Sequence, residues 1–149
     1  MEAGKDYIGV GVGAVVLDSQ GQLFLAQRGP AARNEVGAWE FPGGAVAYGE
    51  RLEDAIQREL IEEFGMIVEV VGQLAAFDHI LPAEHQHWVS ITYLAMHSDG
   101  RPYVREPEKC SELGWFAADD LPTPLSEITF ANVERLKVMP NCRTLFKAS

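Results

Sequence analysis

Residues 44–66 read GAVAYGERLEDAIQRELIEEFGM, a short loop followed by a run of good helix formers. Neither Gly nor Pro interrupts residues 50–64, and Gly65 is the residue type that most often ends a helix in the left-handed conformation. The segment therefore predicts a helix over residues 50–64 that ends at Gly65.

The predicted helix carries an apolar stripe that becomes acidic toward its C-terminus. At about 100° per residue, one side of the helix collects Leu52, Ala55, Ile56 and Leu60. Glu59, Glu62 and Glu63 project into the same sector, within about 80° of Leu52. The macrodipole favours cations at this end, and carboxylates three and four residues apart repel one another. A hard divalent cation held by carboxylate oxygens would offset both effects.

The alternative to a bound cation is a solvated acidic helix end in which Arg58 pairs with Glu62. The spacing of residues in this segment helps to choose between the two interpretations. The sequence fits the pattern G-x5-E-x7-R-E-U-x-E-E-x-G-U, where U is a bulky aliphatic residue. Its fixed positions are Gly44, Glu50, Arg58, Glu59, Leu60, Glu62, Glu63, Gly65 and Met66. Nine fixed positions over 23 residues resemble the Nudix box without a departure, which favours the cation.

The resemblance extends outside the box. The small MutT-type members of the family, which act on nucleoside triphosphates, are similar to residues 9–16, 23–28, 39–44, 106–110 and 115–122. The resemblance implies the α/β Nudix fold, an α/β/α sandwich around a mixed β-sheet, in one domain over residues 1–149. It also implies hydrolysis of a nucleoside diphosphate linked to another group, with Mg²⁺ or Mn²⁺ as the cofactor.

The same resemblance implies the roles of the box residues. Glu59, Glu62 and Glu63 would hold the metal or position its water, and the carbonyl of Gly43 would complete the shell. A carboxylate that does not bind the metal, Glu62 or Glu63, would take the proton of the water. Arg58 would orient a catalytic carboxylate and would not touch the substrate.

The resemblance implies structural roles for two further residues of the box. Glu50 would steady the junction between loop and helix, and Gly65 would end the helix. Gly44 would lie against the substrate.

A further acid is expected on the loop before a late strand, where many Nudix enzymes carry the general base or an additional ligand. Glu108, seven residues before Trp115, is the best placed. Glu106 and Glu112 are alternatives, and a plain surface glutamate is the competing interpretation of each.

Three residues outside the box are candidates for binding the nucleotide. Arg28 ends a predicted strand near the expected position of the phosphates, although a strand end on the surface would look the same. Phe41 and Phe130 could stack on a nucleobase, and core packing is the competing interpretation for Phe41.

The histidines and cysteines predict no further chemistry. His79, His85 and His87 flank a loop and do not share a face, so no zinc site is expected. Cys110 and Cys142 cannot form a disulfide framework and are interpreted as reduced thiols of a cytoplasmic protein. Gly11 and Gly13 are not a dinucleotide fingerprint, because no helix follows them directly.

The rest of the chain predicts a layered α/β sheet. Strands are expected at residues 7–18, 23–28, 38–41, 67–77, 88–97 and 114–117, and a second helix at residues 126–138. Strands before and after a helix, joined by hairpins and crossovers, indicate this class.

Composition sets the limits on partners. The chain has 149 residues and a net charge of −10, with 22 acidic against 12 basic side chains. No excess of Lys and Arg is available for a nucleic acid, and no apolar run is long enough for a membrane span. We therefore expect neither a nucleic acid nor a membrane as the partner, and the resemblance to the Nudix family implies a small nucleotide. A homodimer is an open alternative, because homodimers are frequent in the family.

The leading hypothesis is a diphosphatase that converts a nucleoside or deoxynucleoside triphosphate to the monophosphate and pyrophosphate. The alternative enzyme is an ADP-ribose or nucleotide-sugar pyrophosphohydrolase, which Pro82 weakly favours. A nucleotide-sensing domain without catalysis is the third hypothesis, and the complete set of box glutamates argues against it.

Overall fold

The computed structural model describes residues 1–142 and 145, and within them seven strands and two α-helices follow one another. The strands are β1 Gly9–Leu17, β2 Leu23–Arg28, β3 Trp39–Glu40, β4 Gly43–Ala45, β5 Ile67–Leu81, β6 Gln86–Asp99 and β7 Cys110–Phe116. The helices are α1 Leu52–Phe64 and α2 Glu127–Val138. No helix in the described part is long and apolar enough to span a membrane.

The sheet is mixed, as predicted. Its main order is β3-β2-β1-β6-β5, with β4 paired to β1 and β7 paired to β2. β1 and β6 run parallel, and the remaining pairs are antiparallel. A parallel pair needs a crossover, which here includes β4, α1 and β5.

Alternating side chains divide β1 and β2 between two cores, because successive residues of a strand point to opposite faces. On one face, Val12, Ala14, Val16, Phe24 and Ala26 pack with Ala55, Ile56, Leu60 and Phe64 of α1. On the other face, Val15, Leu23 and Leu25 pack with Val133 and Leu136 of α2. One helix on each face makes the predicted α/β/α sandwich.

The ends of several elements differ from the predicted ones, and β7 begins at Cys110, before its predicted start at residue 114, because it pairs with β2 as far as Arg28. α1 begins at Leu52, two residues after the predicted start, since the side chain of Glu50 accepts a hydrogen bond from the N–H of Ala47 in the loop. β5 and β6 continue beyond their predicted limits, as far as the pair Leu81–Gln86. β5 is an edge strand with many exposed side chains, so backbone pairing extends it where no apolar pattern marks its end.

Candidate active site

A cleft of about 550 Å³ runs from the space between the sheet and α2 to the last turns of α1. The side next to α2 is lined by Gly11 and Gly13 of β1, Ser90 and Thr92 of β6, and Thr129 and Asn132 of α2. The other end is lined by Gly43 and Gly44 of β4 and by Glu59, Glu62 and Glu63 of α1. The fold thus joins a compartment beside α2, which Arg33, Glu35 and His79 also line, to an acidic end at α1.

Gly44 permits the closest contact of the acidic end. β4 lies beside β1, with Gly44 opposite Val12, and the carboxyl group of Glu59 packs directly over Gly44. A Cβ atom at this position would lie 2.3 Å from the carboxyl carbon and 2.5 Å from both oxygens of Glu59. Only a glycine lets this carboxylate lie against the strand.

Glu59 and Glu63 form an acidic pair one helical turn apart. The side chain of Glu59 is 13% exposed, and Glu63 is half-buried. Burial, together with the charges of Glu59 and Glu40, raises the pKa of Glu63 from 4.5 to about 8. This is the repulsion that a bound cation relieves, and the donors are the hard oxygens that Mg²⁺ and Mn²⁺ prefer. The residues present therefore fit a divalent cation.

Arg58 holds this end of α1 to the loop before it. Its Nε and Nη2 donate to the two carboxylate oxygens of Glu50 at 2.6 and 2.9 Å, and Nη2 also donates to the carbonyl of Ala45 at 3.2 Å. Its Nη1 donates to Glu59 and to Glu62, both at 3.1 Å. The bidentate pair lowers the pKa of Glu50 to about 2 and raises the pKa of Arg58.

Glu62 does not share the buried position expected of it. Its side chain is 60% exposed and pairs with Arg58, four residues earlier, as the solvated alternative anticipated. The reason is angular, because Glu62 lies at the edge of the helical sector whose centre is Glu59 and Glu63. It still lines the rim of the cleft.

The candidate acids on the loop before β7 occupy different positions. Glu106 lines the cleft and pairs with Lys109 at 3.2 Å. Glu108, the predicted choice, is exposed, and the residues recorded along the cleft do not include it. Its main-chain carbonyl accepts the N–H of Ala31, which fixes the loop but leaves Glu106 as the acid at the cleft.

Arg28 lines the cleft, as a phosphate-binding residue should, but it already has partners. Its Nη1 donates to Glu40 at 2.7 Å and its Nε to the carbonyl of Asn34 at 2.7 Å. Burial raises the pKa of Glu40, and the adjacent Arg28 opposes that shift. Any contact between Arg28 and a phosphate would have to compete with this ion pair.

The two predicted aromatic residues differ in their positions. Phe41 is 6% exposed, packs in the core beside α2 and also lines the cleft, and its N–H donates to Thr129 Oγ1 at 3.0 Å. Phe130 is 57% exposed and is absent from the described lining of the cleft. The helical rotation that turns Thr129 inward turns Phe130 toward solvent, outside the described lining of the cleft, and its stacking on a base stays a prediction.

Asn132 and Thr92 also line the cleft, and neither was predicted as a site residue. Each is 1% exposed, and Asn132 Nδ2 donates to Thr92 Oγ1 at 2.8 Å. Asn132 Oδ1 is the buried side-chain oxygen without a partner among the residues described. The alternating glycines of β1 were an available signal, because glycine inside a strand often marks the close approach of a ligand.

His79 has partners that the sequence did not indicate. It lies 2.9 Å from Glu35 and 3.9 Å from Glu127, whereas His85 lies in the turn between β5 and β6 and His87 lies near the start of β6, opposite Ile80. Glu35 also accepts the first N–H of α2 at 2.8 Å, a position where the helix dipole favours a carboxylate. Burial by itself would raise the pKa of Glu35, but the hydrogen bonds with His79 and with the N–H of Glu127 lower it, and the net shift is downward. The group ties the loop after β2 to α2.

The thiols have no indicated chemistry. Burial and the nearby carboxylates of Glu40 and Glu63 raise the pKa of Cys110 to about 11, so its thiol stays protonated at neutral pH. Cys142 is buried, and burial raises its pKa as well.

Comparison with known proteins identifies the family. The NUDIX domain family matches residues 8–140. The crystal structure of a MutT NUDIX hydrolase from Burkholderia pseudomallei superimposes with a TM-score of 0.81 at 40% identity, over 88% of this chain and 99% of that one.

Two curated relatives have different names. The RNA pyrophosphohydrolase of Novosphingobium aromaticivorans is 30% identical over 128 residues, 74% of this chain and 78% of that protein. The 8-oxo-dGTP diphosphatase of Escherichia coli is 29% identical over 125 residues, 82% of this chain and 93% of that protein.

Proposed function

We propose that this chain, which belongs to the NUDIX family, hydrolyses a nucleoside or deoxynucleoside triphosphate to the monophosphate and pyrophosphate with Mg²⁺ or Mn²⁺. The observation that carries the proposal is the pair Glu59 and Glu63 at one end of a cleft of about 550 Å³, where Glu59 packs against Gly44. The diphosphatase name of the Escherichia coli relative supports the same reaction.

Glu59 and Glu63 would hold the cation, with the carbonyl of Gly43 as a further oxygen. A bound divalent cation neutralises the phosphates, polarises phosphorus and lowers the pKa of an attacking water. Arg58 acts as a positioning residue, because it contacts Glu59 and is itself fixed by Glu50. A triphosphate could not approach this acidic end without the cation.

The proton of the attacking water goes to a carboxylate outside the pair. Glu62 and Glu106 are the two candidates, and both line the cleft. They lie on neighbouring segments, since Arg105 donates to the main-chain carbonyl of Glu62 at 2.7 Å and so brings the loop of Glu106 to the last turn of α1. Replacing each by Gln, singly and together, distinguishes them by the larger loss of kcat.

The two ends of the cleft support one orientation of the substrate. The nucleoside would occupy the space between the sheet and α2, and the phosphates would extend to α1, where the cation is held. A second candidate, hydrolysis at the 5′ end of an RNA, is favoured by the name of the Novosphingobium relative.

The test is a hydrolysis screen with Mg²⁺ over nucleoside triphosphates, deoxynucleoside triphosphates, ADP-ribose, dinucleoside polyphosphates and RNA with a 5′-triphosphate. Products are resolved by chromatography. We expect monophosphate and pyrophosphate from at least one triphosphate, and no turnover in excess EDTA. Full turnover in EDTA, or turnover of ADP-ribose alone, would contradict the proposal.

A further inference from the structure

The face of β1 that looks toward α2 lacks side chains over the cleft. Gly11 and Gly13 lie on this face, opposite Ser90 and Thr92 of β6 in the parallel register. Neither glycine has a positive φ, so the backbone conformation does not require them. A Cβ atom at Gly11 would have its nearest neighbour, the carbonyl of Gly44, at 3.6 Å. The glycines therefore leave a flat space between the strand and the helix.

The side chain that reaches this space from α2 is Asn132. It is 1% exposed, and one of the two hydrogens of its Nδ2 is donated to Thr92, which is equally buried. Its Oδ1 has no partner. An acceptor buried without a partner costs free energy, and such a group is expected to be satisfied by something absent from the protein itself.

The orientation of the amide has a physical reason. A buried N–H without a partner is rarer in proteins than a buried oxygen with spare capacity, so the amide gives one N–H to Thr92 and leaves its oxygen without a protein partner in a residue that lines the cleft. Thr92 supplies this partner from the adjacent strand, and no other hydrogen bond of Asn132 competes with it among the described contacts.

We propose that Thr92 fixes the amide of Asn132 so that its oxygen accepts one hydrogen bond from the nucleobase, and that the site selects bases presenting an N–H there. The proposal rests on the proposed function and specifies its substrate. An exocyclic amino group and a ring N–H are the two sources of such a donor. Thr92 is a positioning residue, and Asn132 is the residue that reads the base.

The experiment measures binding without hydrolysis. Nucleoside monophosphates are titrated into the protein by calorimetry, with purine riboside monophosphate and 2-pyrimidinone riboside monophosphate as references that carry no N–H donor. AMP, GMP, IMP, CMP and UMP are compared with them. We expect at least one natural base to bind about tenfold to a hundredfold more tightly than its reference. GMP against IMP, and IMP against the purine reference, separate the amino group from the ring N–H.

Two substitutions test the residues. Asn132→Leu should reduce this ratio of dissociation constants to near one. Thr92→Val should reduce this ratio at least severalfold, because the amide of Asn132 loses its fixed orientation. Thr92→Ser keeps the hydroxyl and should keep the ratio of the wild type. Thermal melting confirms that each variant is folded, and Mn²⁺ binding followed by electron paramagnetic resonance should be unchanged.

The outcomes separate this inference from the function itself. Equal binding of every base and its reference, or a ratio unaffected by Asn132→Leu or Thr92→Val, would overturn the inference while hydrolysis continues. Tighter binding of the donor-free references would overturn it as well. Absence of both nucleotide binding and hydrolysis would overturn the proposed function together with the inference.

Discussion

Glu63 is a carboxylate whose ionised form the surrounding protein disfavours. Its pKa in the folded chain is about 8, against an ordinary value of 4.5, because of burial and the charge of Glu59. The unfolded chain therefore binds fewer protons between these values, and the metal-free protein loses stability as pH rises from 4.5 to about 8. In EDTA, Glu63→Gln should melt at a higher temperature than the wild type at pH 8, and this difference should disappear below pH 4.5.

The same substitution should reduce kcat by about a hundredfold or more with Mg²⁺ present, because it removes a ligand of the cation. Glu69→Gln, at an exposed position of β5, is the matched control and should change neither property. A lower melting temperature with full activity in Glu63→Gln would mean that Glu63 is structural.

A substitution at Gly44 of β4 tests the geometry of the pair Glu59 and Glu63. A methyl group there would lie 2.3 Å from the carboxyl carbon of Glu59 and would displace it. We expect Gly44→Ala to weaken Mn²⁺ binding by about tenfold to a hundredfold, measured by electron paramagnetic resonance. Gly72→Ala is the control, because a Cβ atom there meets nothing within 4 Å. Unchanged Mn²⁺ affinity in Gly44→Ala would mean that Glu59 does not hold the cation.

At the scale of an element, the position of α1 depends on the ion pair between Arg58 and Glu50. The pKa of Glu50 is lowered to about 2, so the pair stabilises the fold above the ordinary value of 4.5 and the contribution is lost as pH falls toward 2. Glu50→Gln should melt below the wild type at neutral pH, and the difference should narrow as the medium is acidified. Melting curves from neutral pH to about pH 2 measure this, and a constant difference would contradict it.

Some features of the helices and loops could be predicted from the sequence, and others could not. α1 followed from its helix formers, its apolar stripe and Gly65, whose φ of 67° ends the helix. The Glu59 position followed from the same periodicity. The orientation of Phe130 and the choice between Glu106 and Glu108 did not, because they depend on how α2 and a loop pack against distant strands. Asn132 was missed because a single amide in a helix leaves no periodic signal.

At the scale of the whole molecule, the net charge of −10 separates the two candidate substrates. A polyanionic RNA gains nothing from counterion release on such a surface, whereas a single triphosphate needs only the cation of the cleft. We expect kcat/KM for a 5′-triphosphorylated RNA to be at least about tenfold below that for the preferred nucleoside triphosphate. The two are compared at matched Mg²⁺ and ionic strength. Equal or faster hydrolysis of the RNA would favour the second candidate.

The arrangement of the two compartments also predicts which bond is cut. If the base binds between β1 and α2 and the cation at Glu59 and Glu63, as proposed, the β-phosphorus of a triphosphate would lie nearest the attacking water, and the leaving group would be the monophosphate. Removal of the γ-phosphate would require donors that grip the terminal phosphate, and the sequence contains no G-x4-G-K-[ST] loop of that kind. Hydrolysis in ¹⁸O-labelled water followed by mass spectrometry locates the attack. We expect the label in pyrophosphate. Label in the monophosphate would indicate attack at the α-phosphorus, and labelled orthophosphate with a nucleoside diphosphate would show that the substrate lies in the cleft in a different register.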